Sequence, residues 1–231
     1  MTIDNLRRIY SSFFAWLEDE DYITKSPVRR IHKVRTDSLV KETLSDENLE
    51  ILRDCCDTLR DLAMIDLLAS TGMRVGELVN LNIQNINFQE RQCIVFGKGN
   101  KERHVPISPY LHKVMLKYER MRDYYFDDKI INYENYLLSR TGRPLTKEAL
   151  EHIFNQANQN ANVRDTIRCS PHTARHYFAQ ACLRNGLDLY SVSRLLGHEN
   201  INITKRYLQS LEDRSIVEMA SKASPLFNLR L

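Results

Sequence analysis

The sequence predicts a mainly α-helical domain with one small antiparallel β-sheet, an α+β arrangement, preceded by one amphipathic helix and a basic connection. Three observations lead there. Apolar residues recur at helical spacing through most of the chain, except over 81–107, where short β-branched runs alternate with polar turns. Glycine and proline are scarce, at 7 and 6 of 231 residues, which disfavours a loop-dominated chain and a large β architecture. The composition, 42% hydrophobic and 27% charged, is that of a globular protein long enough to bury an ordinary core.

Ile3, Leu6, Ile9, Tyr10, Phe13, Phe14 and Leu17 share a broad apolar face across residues 2–20, and a lone helix cannot bury such a face without a partner. Residues 21–43 are polar and basic, contain Pro27 and lack periodicity, which predicts a linker. A larger unit starts near Thr43, so the expected division is 1–42 and 43–231. Ser45 is the expected N-cap of a helix over 46–55, followed by a helix over 59–71. Leu81, Ile83, Ile86 and Phe88, then Cys93–Phe96, then His104–Ile107 predict about three antiparallel strands. Helices are expected again over 109–125, 146–159, 172–185, 189–196 and 212–222, while 127–142 reads either way.

The net charge of +3 does not by itself mark a nucleic-acid binder. Basic residues cluster, however, at Arg29, Arg30, His32, Lys33 and Arg35, and again at Lys98, Lys101, Arg103 and His104. Either run also fits a solvated surface. Five cysteines, odd in number and without C-x-x-C spacing, argue against a disulfide framework or a zinc site and fit a reducing compartment. The apolar N-terminal residues are interrupted by charges and are too few for a membrane span or a signal peptide, so a cytoplasmic protein is expected.

Residues capable of chemistry are scattered. Arg74 follows an apolar helix and a glycine able to end it, and could simply pair with Glu77. Lys98 sits in Gly97-Lys98-Gly99-Asn100-Lys101, a hairpin turn without the spacing of a nucleotide-binding phosphate loop. Ser170-Pro171 starts a helix on which His172 and Arg175, three apart, share a face near the anion-attracting N-terminus. Gly197 ends a helix and leaves His198 in the next turn, with Tyr207 nine residues on. Each of these alone fits an ordinary structural role.

Together and in this order, the segments around Arg74, Lys98, His172-x-x-Arg175, Leu196-Gly197-His198 and Tyr207 resemble the tyrosine recombinase or phage integrase family, of the Xer-like kind. The resemblance runs from about Thr43 to Tyr207. Ala174 departs from it, where the family commonly has leucine. It implies a catalytic domain preceded by the last helix of a core-binding domain, with the basic linker crossing DNA as a strap. It implies site-specific recombination through a 3′-phosphotyrosine. Tyr207 would be the nucleophile, Arg74 and Arg175 would clamp the phosphate, His198 would donate a further hydrogen bond, and Lys98 would protonate the leaving 5′ oxygen. His172 would help remove the tyrosine proton, and Glu77 would support the first arginine. Arginine suits this chemistry because its fork donates two bonds to a phosphate and stays charged.

Further expected DNA contacts are Arg29, Arg30, Lys33, Arg35, Lys101, Arg103 and Arg143. No cofactor and no metal are implied, since the arginines supply the positive charge. Double-stranded DNA is the implied partner, with a homotetramer on two DNA sites in the active state and a monomer in free solution left open; no membrane is involved. The competing readings are a type IB topoisomerase, which shares the chemistry, and a non-catalytic DNA-binding protein of the same fold.

Overall fold

The structure, a computed structural model, describes residues 3–32, 44–161 and 169–208, apart from the side chains of Lys98, Arg206 and Leu208. The chain divides into two compact units, 1–40 and 41–231.

In the first unit, α1 (Ile3–Asp19) is the expected amphipathic helix, and Ile3, Ile9, Tyr10 and Phe13 of its apolar face are exposed. The chain just after α1 is more ordered than the predicted linker. Pro27–Arg30 form one 3₁₀ turn, the Ser26 N–H donates to Glu18 Oε2 at 3.2 Å, and Arg29 pairs with Glu18 at 3.6 Å. Glu18 therefore ties the turn back to α1, a contact across eight or more residues that periodicity cannot register. Lys33 and Arg35 lie outside the described residues.

The second unit is organised around α3 (Leu59–Thr71). Nine of its residues are buried, including Ala63, Met64, Ile65, Leu67 and Leu68, because neighbours cover it nearly all round. It packs on α5 (Pro109–Phe126) and α7 (Pro171–Arg184), while α2 (Asp46–Asp54) rests on α6 (Lys147–Ala161). The sheet has β1 (Ile86–Asn87), β2 (Gln92–Phe96) and β3 (Glu102–Pro106) in that order, all antiparallel. Its register sets Cys93 against Val105 and Val95 against Arg103, so that Cys93, Val95 and Val105 enter the core on alternate positions. Leu81 and Ile83, expected in a strand, instead lead into the 3₁₀ turn Ile83–Asn85. The segment 127–142 is not helical: Tyr136, Leu137 and Leu138 are buried, and the Tyr136 N–H donates to Leu81 O at 2.7 Å.

A second apolar cluster joins α7 to α8 (Leu189–Leu196) and α9 (Ile201–Leu208), with Phe178, Ala179, Leu183, Val192, Leu196 and Tyr207 at its centre. Helix α9 and the short α4 (Val75–Val79) were not expected from the sequence. The expected helix over 212–222 lies outside the described residues.

Local chemistry accounts for most helix boundaries. Ser45, Thr58, Ser108, Ser170 and Asp188 each accept the N–H three residues on, and so satisfy a donor that has no partner inside the helix. Gly72 and Gly197 end α3 and α8 in the left-handed conformation, at φ 62° and 63°. Gly72 is also sterically required, since a Cβ there would lie 2.3 Å from Phe178 Cδ1. These two turns deliver Arg74 and His198 to the same place.

Candidate active site

The C-terminal end of α8 gathers three arginines. The last carbonyls of a helix have no partner within it and carry partial negative charge. Leu195 O accepts from Arg103 Nε at 2.8 Å, Leu196 O from Arg175 Nη2 at 2.6 Å, and Gly197 O from Arg74 Nη2 at 3.0 Å. Three consecutive carbonyls thus hold guanidinium groups from the β-sheet, from α7 and from the turn after α3. Arg175 also donates through Nη1 to the carbonyl of Gly72, the capping residue of α3. It is buried, which pushes its pKa down to about 10 with the nearby charge of Arg74 adding to the effect, so it stays a cation at neutral pH.

Glu77 binds this cluster from the other side. Its carboxylate, 4% exposed, accepts two bonds of 2.6 Å from the Arg103 fork, one of 2.9 Å from Arg74 Nη1 and one of 2.6 Å from the Arg74 N–H. Burial pushes the Glu77 carboxyl up, but the hydrogen bonds and charge of Arg103, with those of Arg74, outweigh it and hold the pKa below the ordinary range. Arg74 keeps a 42% exposed side chain, whereas that of Arg103 is only 10% exposed. Arg103, expected at a DNA surface, is therefore an internal strut whose fork faces Glu77. It reaches inward because the register places it opposite buried Val95 on the core side of the sheet.

His198 follows Gly197. Its Nε2 lies 3.1 Å from Arg175 Nη2 and its Nδ1 lies 2.8 Å from Thr204 Oγ1. A guanidinium can only donate, so Nε2 accepts and the proton sits on Nδ1, donating to Thr204. Burial, with the charges of Arg175, Arg74 and Arg103, depresses the His198 pKa from 6.5 to about 4. The folded chain thus binds fewer protons at this site than the unfolded chain between those values. The stability contributed by neutral His198 is complete above the unfolded value and falls as pH drops through the window from about 6.5 to about 4. Acidification from pH 7 to 5 is expected to cost the wild type on the order of 1 kcal/mol more than His198→Gln in urea unfolding, the half-buried ring being partly screened by solvent, and equal pH dependence would contradict the assignment.

Thr204 is fully buried and lies three residues before Tyr207 on one face of α9. The helix therefore holds the imidazole with one residue and presents the phenol with another. Tyr207, 4% exposed, packs its ring edge-on to His176 at 4.7 Å and stacks on His198 at 6.1 Å. On α7, His172 is exposed at the first turn and its Nε2 lies 2.8 Å from His176 Nε2. Arg74, His172, Arg175, His198 and Tyr207 line one cleft of about 530 Å³, together with His176 and Lys147.

Lys98 occupies the turn between β2 and β3, and its side chain lies outside the described residues. Asn100, at φ 57°, and Gly99, at φ 72°, shape that turn. Lys101 beside it pairs with Glu199 at 2.8 Å, an exposed contact of little energetic weight that nonetheless spans from the hairpin to the turn bearing His198. Arg29 and Arg30 of the first unit and Arg143 of the second are exposed.

Two further cleft residues, His176 and Lys147, are not among those the sequence assigns to the chemistry. His176 carries a usable signal, because it stands four residues after His172 on the same helical face. Lys147 carries none: it starts α6, and only tertiary packing sets its side chain against Gly76. Among the described residues, no cluster of histidine, cysteine or carboxylate side chains could hold a metal ion, and no helix is long and apolar enough to cross a membrane.

Comparisons with known proteins identify the family and the fold. The phage integrase family model matches residues 42–214. Tyrosine recombinase XerD of Staphylococcus aureus is 34% identical over 202 residues, which is 85% of this chain and 67% of that protein. Tyrosine recombinase XerC of Oceanobacillus iheyensis is 33% identical over 223 residues, which is 94% of this chain and 72% of that protein. The chain thus spans about two thirds of the length of these relatives. Among solved structures, the XerH site-specific recombinase bound to a palindromic difH substrate superposes with a TM-score of 0.77 at 22% identity, over 94% of this chain and 66% of that one. The Tn1549 transposon integrase in complex with transposon right end DNA gives 0.75 at 20% identity, over 97% and 81%. These two likenesses bear on the fold.

Proposed function

The chain belongs to the phage integrase family, and from that premise we propose that it is a tyrosine site-specific recombinase, which cleaves and rejoins double-stranded DNA through a 3′-phosphotyrosine at Tyr207. The observation that carries this reading is the junction after α8, where Arg74 and Arg175 are fixed by adjacent carbonyls in the same cleft as Tyr207. Pre-fixed cations are what a five-coordinate phosphorane requires, since they need not reorganise as its charge develops.

Tyr207 Oη attacks the phosphorus as its proton is drawn off with the help of His172, and the P–O5′ bond breaks. Arg74 offers its exposed edge to a non-bridging oxygen, and Arg175 supplies charge from beneath. In the free chain the Nε2 of His198 accepts from Arg175, so the ring donates to phosphate only after gaining a second proton. An arriving phosphate brings the negative charge that raises the His198 pKa and favours this protonation. Lys98, from the hairpin turn, gives the proton to the 5′ oxygen. Glu77 and Arg103 hold Arg74 in place without touching the substrate.

Arg29, Arg30, Lys33 and Arg35 are proposed to meet the phosphate backbone as a strap before the catalytic unit, with Lys101 and Arg143 adding weaker contacts. Such contacts give salt-dependent affinity and little sequence information. The active assembly is proposed to be a homotetramer on two DNA sites, acting in the cytoplasm.

The test is covalent capture from a pool of nicked duplexes with randomised arms, in which the nick lets the cleaved strand diffuse away and traps the intermediate. A DNA adduct on the tryptic peptide containing Tyr207 is expected. Supercoil relaxation without strand exchange between captured sites would favour the topoisomerase reading, and binding with no adduct would favour a non-catalytic one.

A further inference from the structure

We propose that His176 is the proton-handling partner of His172, and that the two imidazoles act as one unit on the phenolic proton of Tyr207. The inference rests on Tyr207 as the nucleophile and assigns a new residue to the step that activates it.

Three rings succeed one another inward from the mouth of the cleft. His172 is exposed on the first turn of α7, His176 lies one turn deeper and half-buried, and Tyr207 is buried. Ring centroids are 4.3 Å apart between the two histidines and 4.7 Å apart between His176 and Tyr207, edge-on in both cases. The i, i+4 spacing on α7 sets the first contact, and the packing of α9 on α7 sets the second.

The 2.8 Å separation of the two Nε2 atoms fixes what lies between them. Two bare nitrogens would repel as lone pairs, and two N–H groups would repel as donors. One proton therefore lies between them, and in its neutral form the pair has capacity for one more.

In the cleavage step the Tyr207 Oη–P bond forms as the P–O5′ bond breaks. The phenolic proton passes to the imidazole pair, which becomes singly positive, and the 5′ oxygen takes a proton from Lys98. Religation runs the same transfers backwards, so the pair must hold its proton rather than lose it to bulk water. Spreading that charge over two rings, one exposed and one half-buried, suits a group that must both take and return it. A phenol with a pKa near 10 is almost wholly protonated at neutral pH, which is why the step needs such an acceptor.

The experiment uses single-turnover cleavage of a nicked duplex of one captured sequence, by the full chain, across pH 6 to 10. His176→Phe keeps a ring against Tyr207 but cannot carry a proton. His176→Asn keeps a polar partner for His172 but also cannot take one. Both variants are expected to bind the duplex as the wild type does and to cleave roughly 100-fold more slowly at pH 7. The defect is expected to shrink progressively towards pH 10, where the phenol ionises without help. A merely structural histidine would give a defect of constant size across the range, and that result, or wild-type rates in both variants, would overturn the proposal. Peptide mapping of the residual adduct separates failure of the nucleophile assignment from failure of the His176 role. An adduct on any residue other than Tyr207 would remove the recombinase mechanism itself, whereas one on Tyr207 with a flat defect would remove only the role of His176.

Discussion

Tyr207→Phe is expected to abolish covalent capture of DNA while leaving the fold and non-covalent binding unchanged. The ring is part of the apolar cluster with Phe178, Leu183, Val192 and Leu196, and phenylalanine fills the same space. The contacts with His176 and His198 are contacts of the ring and survive the change. Only the hydroxyl disappears, and with it the sole atom able to bond to phosphorus in the proposed step. The measurement is a denaturing gel of the nicked-duplex reaction beside a native binding gel and a urea unfolding curve. An adduct formed by the variant would exclude Tyr207 as nucleophile. Loss of binding or of stability would mean instead that the hydroxyl organises the site.

Glu77→Ala is expected to give the largest loss of stability of any change in the arginine cluster behind the cleft, about 3–5 kcal/mol. The carboxylate is shared by two guanidinium groups, and the Arg103 fork is almost wholly buried. Without Glu77 the Arg103 charge remains inside the protein, left with its bond to Leu195 O. A deficit of that size should lower the melting temperature by roughly 10 °C or more in a domain of this size. Cleavage should fall as well, because Arg74 loses the anchor on its Nη1 and on its own N–H. A destabilisation below about 1 kcal/mol would show that neutral groups can replace the carboxylate and that the strut role is wrong. The depressed pKa of Glu77 makes its contribution present above the unfolded carboxylate value and lost as pH falls through the folded one, which adds to the acid sensitivity brought by His198.

Much of this architecture was legible in the sequence because its signals are local. The predicted helices over 59–71 and 189–196 match α3 and α8, where a side-chain N-cap begins the helix and glycine ends it. Ser45 and Ser170 cap as expected for the same reason, that a hydroxyl two to four residues from an orphan N–H needs no tertiary context to find it. The strands β2 and β3 were visible as β-branched runs about a glycine turn. The short α4 and α9 were not visible: five residues carry too few turns to set a period, and α9, though as long as α8, has no glycine after it to mark its end as Gly197 marks that of α8. The site showed the same division. The order and spacing of Arg74, Lys98, His172, Arg175, His198 and Tyr207 could be read directly, and so could the left-handed turn that leaves His198 beyond α8.

What the chain determines by itself is therefore the set of helices, their caps and the types of group able to handle a phosphate. Tertiary structure alone decided where those groups point. Arg103 faces Glu77 and Leu195 rather than solvent, Lys147 enters the cleft beside Gly76, and His198 turns its lone pair to Arg175. Each of these depends on partners 23 or more residues away in sequence. The unpaired carbonyls at the end of α8 exist wherever that helix ends, but only packing brings three arginines from separate elements to them. Capping is a competition within a few residues, whereas the direction of a long cationic side chain is set by whichever distant acceptor the fold places within its reach.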